Sequence, residues 1–167
     1  MAGETVCNAT PLIALARIGR LDLLRLAFEQ VVIPEAVYEE VVVKGSGRLG
    51  AAEVQRANWI QVRTVQDRQR LEELGRFLGK GETEAIILAR EISAPLVLLD
   101  DHRARLLAQQ EGLSAVGTLG VLKHLKERRD LDAVHPIFDD LRTAGFSMGE
   151  EYDVILRQVG EREETPS

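Results

Sequence analysis

The side chains in this sequence best suited to chemistry carry amide or carboxylate oxygens. They are Asn8, the neighbours Glu39 and Glu40, then Glu82 and Glu84, and the neighbours Asp100 and Asp101. Softer donors are sparse. Cys7 is the one cysteine, and His102, His124 and His135 are scattered without the spacing of a zinc site. Oxygen donors without imidazole or thiolate suit a hard divalent cation, Mg2+ or Mn2+. Mg2+ commonly keeps water and substrate phosphates beside one or two carboxylates, so a phosphate-bearing substrate is its natural companion.

Position separates these acids. The run Leu96-Val97-Leu98-Leu99 is wholly apolar, the pattern of a strand covered on both faces, and it leads directly into Asp100 and Asp101. Two adjacent carboxylates at the end of a buried strand are costly unless water or a cation meets them. Capping the next helix needs only one. Glu82 and Glu84 fall in the first turn of a helix that is apolar almost all round, where the helix dipole favours acids. Two positions along a helix is about 200° of rotation, so at most one of them faces the Asp pair. Glu39 and Glu40 lie on a helix opened by Pro34. With Val37 and Val41 packed inward, Glu40 is the inward acid and Glu39 the solvated one.

The elements that position these groups can be read in order. Residues 5–8 form a first strand that ends at Asn8. Thr10 caps the following helix, Pro11 suits its first turn, and Gly19 ends it. A short helix over 21–28 precedes an apolar strand at 31–33. Pro34 opens the next helix, another covers 51–57, and 59–62 is a strand. An amphipathic helix over 67–78, with Leu71, Leu74 and Leu78 on one face, is broken by Gly79-Lys80-Gly81. The buried helix 82–92 leads to the strand 96–99. A helix to 110, a short strand at 115–116 and a helix capped by Thr118 follow, and helices over about 132–144 and 149–159 close the domain. Strands alternating with helices argue for an α/β fold, a parallel sheet with helices on both faces. Ligands of such sheets bind at the carboxyl ends of the strands, where Asn8, Asp100 and Asp101 fall.

Composition narrows the classes. The 167 residues suit one domain, expected over 1–160 with a polar, frayed tail at 161–167. The apolar share of 45% and charged share of 29% are those of an ordinary globular protein. No apolar run approaches the roughly 18 residues of a membrane span, and the start lacks a signal-peptide layout, so a cytoplasmic location is expected. A net charge of −6 is unlike a general nucleic-acid binder, so local arginines and a metal would have to offset it. Cys7 reads as an inert core thiol. Leu23, Leu24, Leu26 and Phe28 read as core before interface.

Several segments taken together resemble a known family. They are Asn8-Ala9-Thr10-Pro11-Leu12-Ile13-Ala14-Leu15-Ala16, Ile33-Pro34-Glu35-Ala36-Val37-Tyr38-Glu39-Glu40-Val41 and Gly81-Glu82-Thr83-Glu84-Ala85-Ile86. Leu98-Leu99-Asp100-Asp101-His102-Arg103-Ala104-Arg105, Gly117-Thr118-Leu119-Gly120-Val121-Leu122 and residues 141–146 continue the series. In order and spacing they resemble a PIN-like subfamily of prokaryotic proteins over roughly residues 5–158. The resemblance implies a three-layer α/β/α sandwich with a central, mostly parallel sheet. It implies a Mg2+ or Mn2+ site of three or four acids and, often, ribonuclease activity on single-stranded RNA. Many members are toxins of toxin–antitoxin pairs, held in check by a small antitoxin protein, and many form homodimers.

Carried over residue by residue, the acid that usually ends the first strand falls on Asn8 and the next on Glu40. The third falls on Glu84 with Glu82 beside it, and the fourth on Asp101 with Asp100 beside it. The resemblance thus implies catalytic roles for Asp101, Glu84, Glu40 and Asn8, and metal-ligand roles for these together with Asp100 and Glu82. Thr10, Arg103 and Arg105 are candidates for substrate binding, Arg105 equally for pairing with an acid. Asn8 departs from the pattern: its amide oxygen can ligate a metal but brings no charge. One unit charge at about 4 Å is worth roughly 4 kcal/mol per unit of partner charge at an effective dielectric of about 20. That departure supports a second reading, a PIN-like module that binds RNA or protein without cutting. A phosphatase on the same sheet is disfavoured, because the first strand lacks an Asp nucleophile and no Gly-rich phosphate loop follows it.

Overall fold

The computed structural model describes residues 3–162. Its strands are β1 (Glu4–Cys7), β2 (Gln30–Pro34), β3 (Ile60–Arg63), β4 (Leu96–Leu98) and β5 (Ala115–Val116). They form one all-parallel sheet in the order β3-β2-β1-β4-β5. Val6 of β1 lies opposite Val32 on one side and Val97 on the other. The chain winds outward from β1 to β3, then crosses back over β1 to start β4. The strand order therefore reverses between β1 and β4, and a crevice opens at their carboxyl ends.

Successive strand side chains point to opposite faces, and here both faces are buried. Val6, Val32, Val97 and Leu99 join one core; Cys7, Val31, Ile33 and Leu98 join the other. That is why the strands read as unbroken apolar runs. The first core is covered by α5 (Arg68–Leu74), α6 (Lys80–Glu91) and α7 (His102–Gln110), which supply Leu74, Ile86 and Ala104. The second is covered by α1 (Ala9–Arg17), α2 (Asp22–Ala27), α8 (Thr118–Glu127), α9 (His135–Thr143) and α10 (Glu151–Gln158). On that side α3 (Glu35–Tyr38) runs into a π-helical turn at Glu39–Val43, and α4 (Ala51–Arg56) follows. The arrangement is three layers, α/β/α. Emptying its centre with Leu98→Ala would cost roughly 2–5 kcal/mol.

Several local expectations are corrected. The first helix starts at Ala9, so Asn8 and not Thr10 occupies the cap position, and Asn8 makes no capping hydrogen bond. α6 starts at Lys80, which puts Gly81 inside the helix and not in a break before it. Glu82 reaches back to accept the Gly79 N–H at 3.3 Å. Gly117 precedes α8, and the Thr118 hydroxyl donates to Asp100 instead of capping. Glu161 is not frayed: it accepts the Val134 and His135 N–H groups at 2.8 and 2.7 Å and closes the start of α9. Residues 163–167 of the expected tail lie outside the described residues. Leu23, Leu24 and Phe28 are buried, while Leu26 is exposed. Cys7 is fully buried, and burial holds its thiol pKa well above the usual value. Among the described residues no helix is long and apolar enough to cross a membrane.

Candidate functional site

Asn8 sits at the strand-order reversal. Its N–H donates to the Leu98 carbonyl at 3.0 Å, tying the ends of β1 and β4 together. The residue is 5% exposed, and Oδ1 is buried with no hydrogen-bond partner. A buried acceptor left that way costs on the order of 1–3 kcal/mol. α6 arrives at this point with Gly81. A Cβ there would stand 3.1 Å from Glu40 Oε2 and 3.2 Å from Asn8 Oδ1. The missing side chain leaves room for both oxygens. Glu40 comes from the π-helical turn, which Lys44 N–H closes onto the Glu39 carbonyl at 2.8 Å. Such turns are frequent at functional sites.

Glu82, one residue along α6, is half-buried. Burial raises its carboxyl pKa first; the Gly79 N–H opposes that, and the charges of Asp101 and Glu40 raise it further. Glu82 therefore lies in the field of both acids. Asp101 is exposed and caps α7, its Oδ1 accepting Ala104 N–H at 2.8 Å. Asp100 turns towards α8. It accepts the Thr118 N–H and hydroxyl, each at 2.7 Å. Burial raises the Asp100 pKa, partly opposed by the Thr118 bonds and Arg105.

Two neighbouring openings form a trough along the ends of β1 and β4. One, of about 530 Å3, is lined by Thr10, Arg17, Glu82, Asp100, Asp101 and Phe146 among others. The second, of about 440 Å3, includes Asn8, Thr10, Glu40, Lys44, Lys80 and Glu82. Thr10 and Glu82 belong to both. The structure thus brings Asn8, Thr10, Glu40, Glu82 and Asp101 together and leaves Asp100 at the edge, braced by Thr118.

Glu84 is placed elsewhere. Its carboxylate accepts Ala36 N–H at 2.8 Å, closing the start of α3 onto α6, and it does not line the trough. Of the two roles left open for Arg105, the geometry gives the structural one. Its guanidinium donates to the Leu99 and Asp100 carbonyls at 2.9 and 2.8 Å and to Glu151 at 3.2 Å. Arg103 is exposed and lines neither opening. Sequence reasoning passed over Arg17, Lys44 and Lys80, which do line them and have no ion-pair partner among the described residues. Lys80 flanks Gly81 and Lys44 follows the Glu39-Glu40 pair, so proximity to the acids was a usable signal.

Among the described residues, no three carboxylate, imidazole or thiol groups stand close enough as placed to enclose one ion. The donor chemistry nevertheless fits a hard divalent cation. Asn8 Oδ1 lacks a partner, Glu40 Oε2 borders the same point, and Glu82 and Asp101 lie in each other's field. Glu40 and Asp101 are exposed, and a cation would offset the repulsion that each exerts on Glu82.

A family model described as a PIN domain (DUF3368) matches residues 4–161. Among solved structures, the chain is similar to a PilT N-terminus domain protein from the hyperthermophilic archaeon Sulfolobus solfataricus P2. The TM-score is 0.51 and the identity 18%, over 80% of this chain and 98% of that one. That likeness bears on the fold alone. No curated protein matches the chain significantly.

Proposed function

This chain belongs to the PIN-domain family, and from that premise we propose that it is a Mg2+- or Mn2+-dependent ribonuclease that cuts single-stranded RNA. PIN domains are generally nucleases and usually use divalent metals. The observation that carries the proposal for this chain is the unpartnered Asn8 Oδ1 beside Glu40 Oε2 over Gly81, at the strand-order reversal. Asn8, Glu40, Glu82 and Asp101 would hold the cation. When bound, it polarises the phosphodiester and lowers the pKa of a coordinated water.

The chain's own residues do the rest. Asp100, Thr118 and Arg105 hold the end of β4 and so fix where Asp101 starts. Arg17, Lys44 and Lys80 place positive charge along the trough, where phosphates must lie despite the net charge of −6.

Purified protein with Mn2+ is expected to cut an unstructured RNA, and Asp101→Ala to abolish the cutting. Cleavage that persists in EDTA or in that variant overturns the proposal. As the toxin of a toxin–antitoxin pair, the wild-type chain would arrest growth on expression and the Asp101→Ala chain would not. The uncharged Asn8 favours a second reading, a PIN module that binds without cutting. Calorimetry with millimolar Mn2+ separates the two, since no heat of binding favours the module.

A further inference from the structure

The larger opening is lined by two unlike groups of residues. One is the acids Glu82, Asp100 and Asp101; the other is Phe146, Ile13, Ala14 and Arg17, from α1 and from the segment after α9. We propose that this second group forms a seat for one unstacked nucleobase, with Arg17 on the adjoining phosphate. The inference deepens the ribonuclease reading and rests on it.

Phe146 is held in place by backbone. α9 closes with Gly145 at φ 94°, in the left-handed region that a side chain rarely adopts. Gly145 N–H donates to the Arg142 carbonyl at 3.0 Å, and Phe146 N–H reaches back to Leu141 at 2.9 Å. This pair of bonds fixes the chain direction after the helix. Phe146 is left half-buried, packed on the core and bordering the trough. Ile13 and Arg17 are four residues apart on α1, hence neighbours on one face. Arg17 is exposed and has no ion-pair partner among the described residues.

An aromatic ring, aliphatic side chains and an unpaired guanidinium beside a carboxylate site match the parts of a nucleotide: a flat apolar face and an anion. Base stacking on aromatic side chains tolerates any base, because every base has a π-face. Among the described residues, beyond the acids and Arg17, only the hydroxyls of Thr10 and Ser147 line this opening as side-chain hydrogen-bonding groups. Little therefore reads base identity. A paired base in a duplex presents no free face, so the seat selects unpaired nucleotides.

The test measures binding by fluorescence anisotropy of a labelled, unstructured RNA oligonucleotide with Mg2+ present. The full chain is used in an Asp101→Asn background to silence cleavage. Phe146→Leu is expected to weaken binding roughly tenfold, and Phe146→Tyr to keep it within about twofold. A ribose-phosphate chain without bases should bind all three proteins alike. Arg17→Gln should lower the slope of log affinity against log salt by about one. Thermal unfolding checks that each variant folds. Equal affinity of Phe146→Leu and its parent for RNA refutes the seat and leaves the ribonuclease reading intact. Equal losses on RNA and on the base-free chain also refute it, since Phe146 would then be merely structural. Failure of the wild-type chain both to bind and to cut RNA overturns seat and ribonuclease reading together.

Discussion

Replacing Asn8 with Asp puts a charge where an oxygen now stands without a partner. The two side chains are nearly the same shape, so packing around this buried position is kept. Asn8 Oδ1 and Glu40 Oε2 lie 3.2 and 3.1 Å from one point above Gly81. Carboxylate oxygens there would stand no more than about 6 Å apart, and at that separation two unit charges repel by roughly 3 kcal/mol at an effective dielectric of about 20. Glu40 is exposed, so solvent screening reduces this to on the order of 1–2 kcal/mol. At about 2–4 °C per kcal/mol for a chain of this size, the metal-free midpoint should fall by roughly 2–8 °C. A divalent cation reverses the sign. An added unit charge at about 4 Å from it is worth up to roughly 8 kcal/mol before desolvation. Even about 2 kcal/mol of that tightens binding more than tenfold. Thermal unfolding should be followed against Mn2+ concentration at about pH 8, so that the new carboxyl is ionised despite burial. The variant should start below wild type and overtake it as Mn2+ rises, by the usual linkage of binding to stability. Parallel curves, with the variant below wild type throughout, would refute the placement of a cation beside residue 8.

Gly81→Ala exchanges a helix glycine for the best helix former, a gain of up to about 1 kcal/mol. It also places a Cβ against Glu40 and Asn8. Unfolding should show unchanged or higher stability, while calorimetry shows weaker Mn2+ binding. Glu84→Ala removes the acceptor of Ala36 N–H and should cost about 1 kcal/mol in denaturant unfolding, with the activity of the folded fraction retained, whereas Glu82→Gln should lose Mn2+ affinity at little cost to the fold. Burial and neighbouring acids raise the pKa of Glu82, and burial raises that of Asp100. Over the range just above their ordinary values of 4.5 and 3.8, the folded state therefore binds more protons than the unfolded one. Metal-free stability contributed by these groups should fall as pH rises through that window. Urea midpoints measured in EDTA check the sign, and Glu82→Gln should flatten the dependence.

The alternation that builds the sheet was legible because fully covered parallel strands must be apolar throughout, as Val31-Val32-Ile33 and Leu96-Val97-Leu98-Leu99 are. Asn8 and the two aspartates were legible as residues at strand ends. Which acid of a pair faces the trough was not: the expected split between an inward Glu40 and a solvated Glu39 does not hold, since both are exposed and both line the second opening. Glu82 and Glu84 both sit in a first turn where the dipole accepts either; the choice is made by Ala36 N–H, a partner distant in sequence that occupies Glu84. Arg105 was ambiguous for a similar reason, since the carbonyls it binds point towards it only after α7 folds back on β4. Gly81 was misread as a breaker because glycine lowers helix propensity. Its use here is the space it leaves, a tertiary fact that propensity does not encode. Phe146 entered only as part of the segment 141–146, and its place beside the acids depends on how the turn after α9 packs against α1, which the sequence does not encode.

The most direct measurement is anomalous diffraction from crystals soaked in Mn2+. A single strong peak enclosed by the side-chain oxygens of Asn8, Glu40, Glu82 and Asp101 is expected, absent after EDTA. A peak bound elsewhere, or none at millimolar Mn2+, would contradict it.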